Sequence, residues 1–143
     1  MAEVFSLTKY KFDNAIFGAI ASICTYGALT GASPKIIESG IGIFISHYTS
    51  WTANQVCGEM NDSRIASTGL IMEIAIISIK RAMRGFIGPQ DIFRNPEALF
   101  RMNEQTNGES PFSLTLSKEG DNFSVMKTHF KLGLYNHQSS GAI

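Results

Sequence analysis

Lys127, His129 and Lys131 stand at alternate positions near the C-terminal end of the chain, interleaved with Met126, Thr128, Phe130 and Leu132. A β-strand sends successive side chains to opposite faces, so this stretch would line one face with groups able to carry positive charge, roughly 7 Å apart. Gly133 breaks the run, and Asn136 is a good N-cap for a helix opening His137-Gln138-Ser139. The first turn of a helix offers unpaired N–H groups and the positive end of the dipole, and both favour an anion. On this reading Lys131 and His137 are placed to hold an anionic ligand. The sequence stops one turn into that helix and reads as a piece of something larger.

Composition narrows the field. Twelve basic and twelve acidic residues cancel over 143 positions, so no global field recruits nucleic acid or an acidic membrane. A hydrophobic content of 44% in a chain of this length is ordinary for a globular protein with a real core. Cys24 and Cys57 lie far apart, outside any CxxC or Cys/His ligand spacing, and read as small buried apolar residues. An iron–sulfur cluster held by this chain alone would need more thiolates. No metal motif, Ser/His/Asp arrangement or phosphate-binding loop rises above chance.

The N-terminus lacks the basic-then-apolar order of a signal peptide, because Lys9 and Lys11 follow Val4-Phe5. Two apolar stretches, 15–32 and 65–79, fall short of membrane spans. The first is loaded with Gly, Ser and Thr, and the second carries Glu73 and is too short. A soluble, cytoplasmic protein without a membrane partner is the expectation.

The elements that must position the charged groups are mostly helices. Ile16, Ala19, Ile20, Ile23 and Tyr26 fall at helical spacing within a helix over 13–31. Ser33 then caps, and Pro34 opens, a second helix to about Tyr48, carrying Ile37, Ile41, Phe44 and Ile45. On it His47, near Tyr48 and Trp51, reads as a satisfied, partly buried histidine. Residues 49–63 are polar and irregular. A third helix over about 64–84 should bury Leu70, Ile74 and Ile77, with Lys80, Arg81 and Arg84 at its negative end and Gly85 as its cap. Asn95-Pro96 opens a short helix through Met102.

Residues 103–110 make the best linker, and beyond it 112–117 and 123–132 alternate with the period of strands. The expected fold is mainly α: a partial helical-bundle domain over 1–104, followed by the beginning of a small α+β domain over 105–143.

Several of these residues together carry a family resemblance. Phe12-Asp-Asn-Ala-Ile-Phe-Gly-Ala-Ile-Ala-Ser, Leu29-Thr-Gly-Ala-Ser-Pro, Arg84-Gly-Phe-Ile-Gly-Pro, and Phe130-Lys131 followed by His137 resemble the MmgE/PrpD family. That family includes 2-methylcitrate dehydratases and cis-aconitate decarboxylases. Its members resemble a large helical domain followed by a smaller α+β domain and are considerably longer than this chain. The stretch here resembles the later part of the large domain and the entry to the small one. The earlier family segment, which supplies an acidic residue and a further histidine to the site, has no counterpart in it.

The resemblance implies loss of water, or of carbon dioxide, from a tricarboxylate, with no metal and no cofactor. The pattern is nearest a dehydratase acting on a hydroxy-tricarboxylate such as 2-methylcitrate. A polyanionic substrate needs several cations to hold it, a base near the acidic C–H and an acid beside the departing hydroxyl. Lys131 and His137 match the family's lysine and histidine and are the implied catalytic pair, with Lys131 also binding substrate. Lys127 and His129 read as solvated groups.

At Arg64 the family often has lysine. Arginine can grip a carboxylate through two nitrogens but cannot release a proton near neutral pH, so Arg64 is implied as a carboxylate contact. At Asp13-Asn14 many relatives carry histidine. Asn14 can hydrogen-bond a substrate but not act as acid or base, and it also suits an N-cap or first-turn position. The resemblance further implies a homodimer at full length and a chain that is incomplete and inactive alone. The alternative is a non-catalytic truncated relic or association fragment.

Overall fold

The computed structural model describes residues 5–50, 61–103, 119 and 123–128. Its architecture is mainly helical: α1 (Ala15–Leu29), α2 (Pro34–His47), α3 (Asp62–Met83) and the short α4 (Leu99–Asn103), with 3-10 turns at Thr8–Tyr10 and Ser124–Lys127. No strand occurs among the described residues. The divide near residue 104 and the strand expected over 112–117 lie outside them.

Each long helix begins and ends for a local reason. At the start of α2, Pro34 occupies the first turn and the Ile36 N–H donates to Ser33 Oγ at 3.4 Å. Asn61 starts α3 two residues earlier than the spacing suggests, its Oδ1 accepting from the Arg64 N–H at 2.9 Å.

The C-terminal ends of α1 and α3 close in the same way. Ala32 N–H reaches the Gly27 carbonyl (2.8 Å) and Gly31 N–H the Ala28 carbonyl (3.2 Å). Phe86 N–H and Gly85 N–H repeat that pattern on Arg81 and Ala82, at 3.1 and 3.0 Å. Gly31 (φ 78°) and Gly85 (φ 91°) supply the left-handed residue each closure needs.

Helices α1 and α3 lie side by side and run in the same direction. Ser67 bonds Asp13 at one end, Ser22 bonds the Met72 sulfur midway, and Thr30 reaches the Met83 sulfur at the other end. Helix α2 returns antiparallel against both, Ile37 meeting Gly27 and Gly40 meeting Ile23 and Ile79. Residues 86–92 then fold back along α2. A Cβ on Gly42 would strike the Pro89 backbone, and one on Gly88 the Ser39 carbonyl, so glycine is required on both sides of this contact.

The core of Ile16, Ile23, Ile43, Phe44 and Ile79 is continued by Leu7 and Phe100. Phe5 meets the Phe100 ring edge-on at 5.2 Å and Phe93 lies 5.0 Å from it. Burying each such side chain favours the fold by about 1.5–3 kcal/mol.

Three expectations are corrected. In α3 the buried stripe is Ile71, Ala75, Ser78, Ile79 and Ala82, while Leu70 is 51% exposed and Ile74 and Ile77 are half-buried. The stretch from Leu70 to Ile79 is apolar on nearly every side, so its period cannot choose a face, and close packing favours the stripe with the small residues. His47 is exposed rather than partly buried, because α2 buries residues 40–45 and its last turn emerges. Its ring stands edge-on to Tyr48, 6.2 Å away. Finally, the described start of the 123–132 alternation is a 3-10 turn between extended Phe123 and Thr128. Met126 and Thr128 N–H groups pair with Phe123 and Val125 carbonyls, satisfying the backbone locally where no neighbouring strand is described.

Candidate functional site

The parallel course of α1 and α3 brings their N-terminal ends together, and these ends carry Asn14 and Arg64. The contact that joins them is made by Asp13, which is 2% exposed. Its Oδ1 accepts the Ala15 N–H at 2.9 Å and its Oδ2 accepts the Ser67 hydroxyl at 3.3 Å. The Asp13 N–H donates to the Ser50 carbonyl at 2.9 Å, which fixes the residue from a third side.

No cation pairs with Asp13 among the described residues. The N-terminus of α1 beside it supplies a favourable dipole field, and two accepted hydrogen bonds satisfy its oxygens, which is the physical reason a carboxylate can sit there.

Asn14 occupies the cap position of α1 but makes no capping bond, and its backbone is already helical (φ −61°, ψ −18°). Asp13 performs the capping instead, one residue earlier. The Asn14 Oδ1 accepts from the Thr8 hydroxyl at 3.2 Å, leaving its amide N–H₂ available to a ligand. Arg64 sits in the first turn of α3, half-buried, one turn before Ser67. Its guanidinium makes no hydrogen bond or ion pair with the described residues. Lys131 and His137, the pair implied for proton transfer, lie outside the described residues. Lys127 is exposed at the end of its 3-10 turn.

Asp13 and Ser67 are the residues that sequence reasoning passed over. Their signal was present in part: Asp13-Asn14 offers two adjacent side chains of nearly equal capping preference. Which one turns inward depends on a hydroxyl 54 positions away, and a local pattern carries no information about that.

A groove of about 410 Å³ runs beside Phe12, between Ile45, Thr49, Pro89 and Leu99. Among the described residues its one charged lining residue is Glu97, which is not fitted to a polyanion. Burial pushes the half-buried Cys24 thiol up from its ordinary value, which keeps it protonated and unreactive near neutral pH. Among the described residues no group of His, Cys, Asp and Glu could hold a metal ion, and no helix is long and apolar enough to cross a membrane.

No protein-family model, curated protein or solved structure matches the chain significantly.

Proposed function

We propose that this chain serves a lyase of the MmgE/PrpD type, acting on a hydroxy-tricarboxylate such as 2-methylcitrate. In this reading Arg64 and Asn14 contact substrate carboxylate and hydroxyl groups, Lys131 adds a second cation, and His137 with Lys131 handles the proton. Proton transfer falls to His137 and Lys131 because arginine and asparagine do not titrate near neutral pH.

What supports the reading is the Asp13–Ser67 contact, which holds the N-terminal ends of α1 and α3 against each other. Two residues implied by separate segments, 50 positions apart in sequence, thereby stand on adjoining helix ends of like polarity. Both ends attract negative charge, and half-buried Arg64 contributes a guanidinium without a partner among the described residues.

Calorimetric titration with citrate and 2-methylcitrate tests the proposal. Arg64→Ala is expected to weaken binding about tenfold or more, matching the ~1.5–3 kcal/mol of a hydrogen bond to a charged group. Asn14→Ala should weaken it less. Absence of tricarboxylate binding, or binding indifferent to Arg64→Ala, overturns the assignment. The non-catalytic association reading is favoured by exposed Leu29 (82%), Ile65 (71%) and Ile87 (80%). Self-association without any ligand effect would support it instead.

A further inference from the structure

Two of the contacts that join α1 to α3 end on a thioether. The Ser22 hydroxyl donates to Met72 Sδ at 2.9 Å, and the Thr30 hydroxyl reaches Met83 Sδ at 3.6 Å. A thioether is a weak hydrogen-bond acceptor, and a mild oxidant can change it. The two sulfurs differ in setting. Met83 is 39% exposed in the last turn of α3. Met72 is half-buried midway along that helix and packs against the core. Its methyl group lies against Gly18 of α1, in the space that a Cβ there would take. Met72 therefore holds α1 twice, through its methyl at Gly18 and through its sulfur at Ser22, one turn further on.

A small oxidant has a way in. Ser22 lines a groove of about 350 Å³ together with Thr25, Tyr26 and Ile76, and Ala21 and Leu29 in the same lining are exposed. The Met72 sulfur is thus bonded to the wall of a solvent-facing groove rather than sealed in the core.

We propose that Met72 is a reversible oxidation site whose conversion to the sulfoxide loosens α1 from α3. Hydrogen peroxide is the two-electron oxidant. One of its oxygens bonds to the Met72 sulfur as the O–O bond breaks, and the other leaves as water with both protons. The added oxygen, one bond from sulfur, cannot share the space with a hydroxyl 2.9 Å away. Either Ser22 swings off, or the sulfur turns toward the groove and draws the methyl from Gly18. The sulfoxide is also far more polar than the thioether, so burying it in the seam is disfavoured. A dithiol-driven sulfoxide reductase reverses the change: the oxygen leaves as water while two thiols become a disulfide. The switch is independent of the tricarboxylate reading, since it concerns the middle of the helix pair and no ligand.

The test treats the full chain with hydrogen peroxide and maps oxidation by mass spectrometry of its peptides, which reports each methionine separately. Exposed Met102 and Met126 should react first, and Met72 should follow while circular dichroism still shows a folded chain. Hydrogen exchange in the oxidised chain should then be at least about tenfold faster around Ser22 and Met72, with the turn at Gly88 unchanged. Met72→Leu keeps the side-chain volume and removes the sulfur. It retains both cysteines and every other methionine, and peroxide should leave its exchange around Ser22 unaltered. Sulfoxide reductase with dithiothreitol should restore slow exchange in the unsubstituted chain. Reaction of Met72 only after urea has unfolded the chain overturns the proposal. So does faster exchange that Met72→Leu still shows, or that reduction fails to reverse. Oxidised Met72 with unchanged exchange would make the sulfur a bystander and overturns it as well.

Discussion

The two ends of the α1–α3 pair are built on opposite principles. At the N-terminal end a side chain makes the join: buried Asp13 caps one helix and binds the hydroxyl of Ser67 on the other. At the C-terminal end the backbone closes each helix on itself through Gly31 and Gly85, and an exposed Thr30 hydroxyl reaches the Met83 sulfur at 3.6 Å between them. Few side chains are spent there on closure, and Leu29, Phe86 and Ile87 stand 82%, 59% and 80% exposed. A side-chain clip fixes how two helices register and buries polar atoms to do so. A backbone closure fixes only its own helix and leaves the side chains around it exposed.

That contrast should be visible in stability. Asp13→Ala removes the acceptor of two hydrogen bonds to a buried carboxylate and strands the Ala15 N–H and Ser67 hydroxyl, so we expect a loss of about 3 kcal/mol in urea unfolding. Asp13→Asn keeps the shape and one acceptor and should lose less. If Asp13→Ala unfolds no more easily than a surface variant, the clip does not hold the helices.

Gly85→Ala forces a Cβ into a left-handed backbone, and a loss of about 1–2 kcal/mol is expected, confined to the end of α3. Hydrogen exchange localises it: amides near Phe86 should lose protection while those near Ala15 keep theirs. Leu29→Ser should change stability by less than about 0.5 kcal/mol, because the side chain is already in water. A larger loss would mean that the two ends are more alike than their exposure indicates.

Much of the helical layout was legible from local pattern. Ser33-Pro34 states a helix start, Gly85 states a stop, and the spacing of Ile16, Ala19, Ile20 and Ile23 marks a face that is indeed buried. Each of those signals depends on neighbours within a turn or two. The outline of α3 was legible but its orientation was not, since an almost uniformly apolar segment presents several equivalent stripes.

The candidate site divides in the same way. Asn14 and Arg64 came from resemblance, and their residue types limit them to binding. Their placement on adjoining helix ends is a tertiary fact.

By itself the sequence determined, to within a few residues, where the three long helices begin and end, because caps, glycines and prolines act through bonds within a few residues. It also determined the neutral charge and the supply of apolar residues for one core. Only the tertiary structure decided that α1 and α3 run parallel, that Asp13 rather than Asn14 turns inward, and that Phe86 and Ile87 face outward beside Lys35. Those outcomes rest on contacts such as Asp13 with Ser67 and Ser39 with Gly88, separated by 54 and 49 positions. Packing chooses among pairings that local propensity leaves equal.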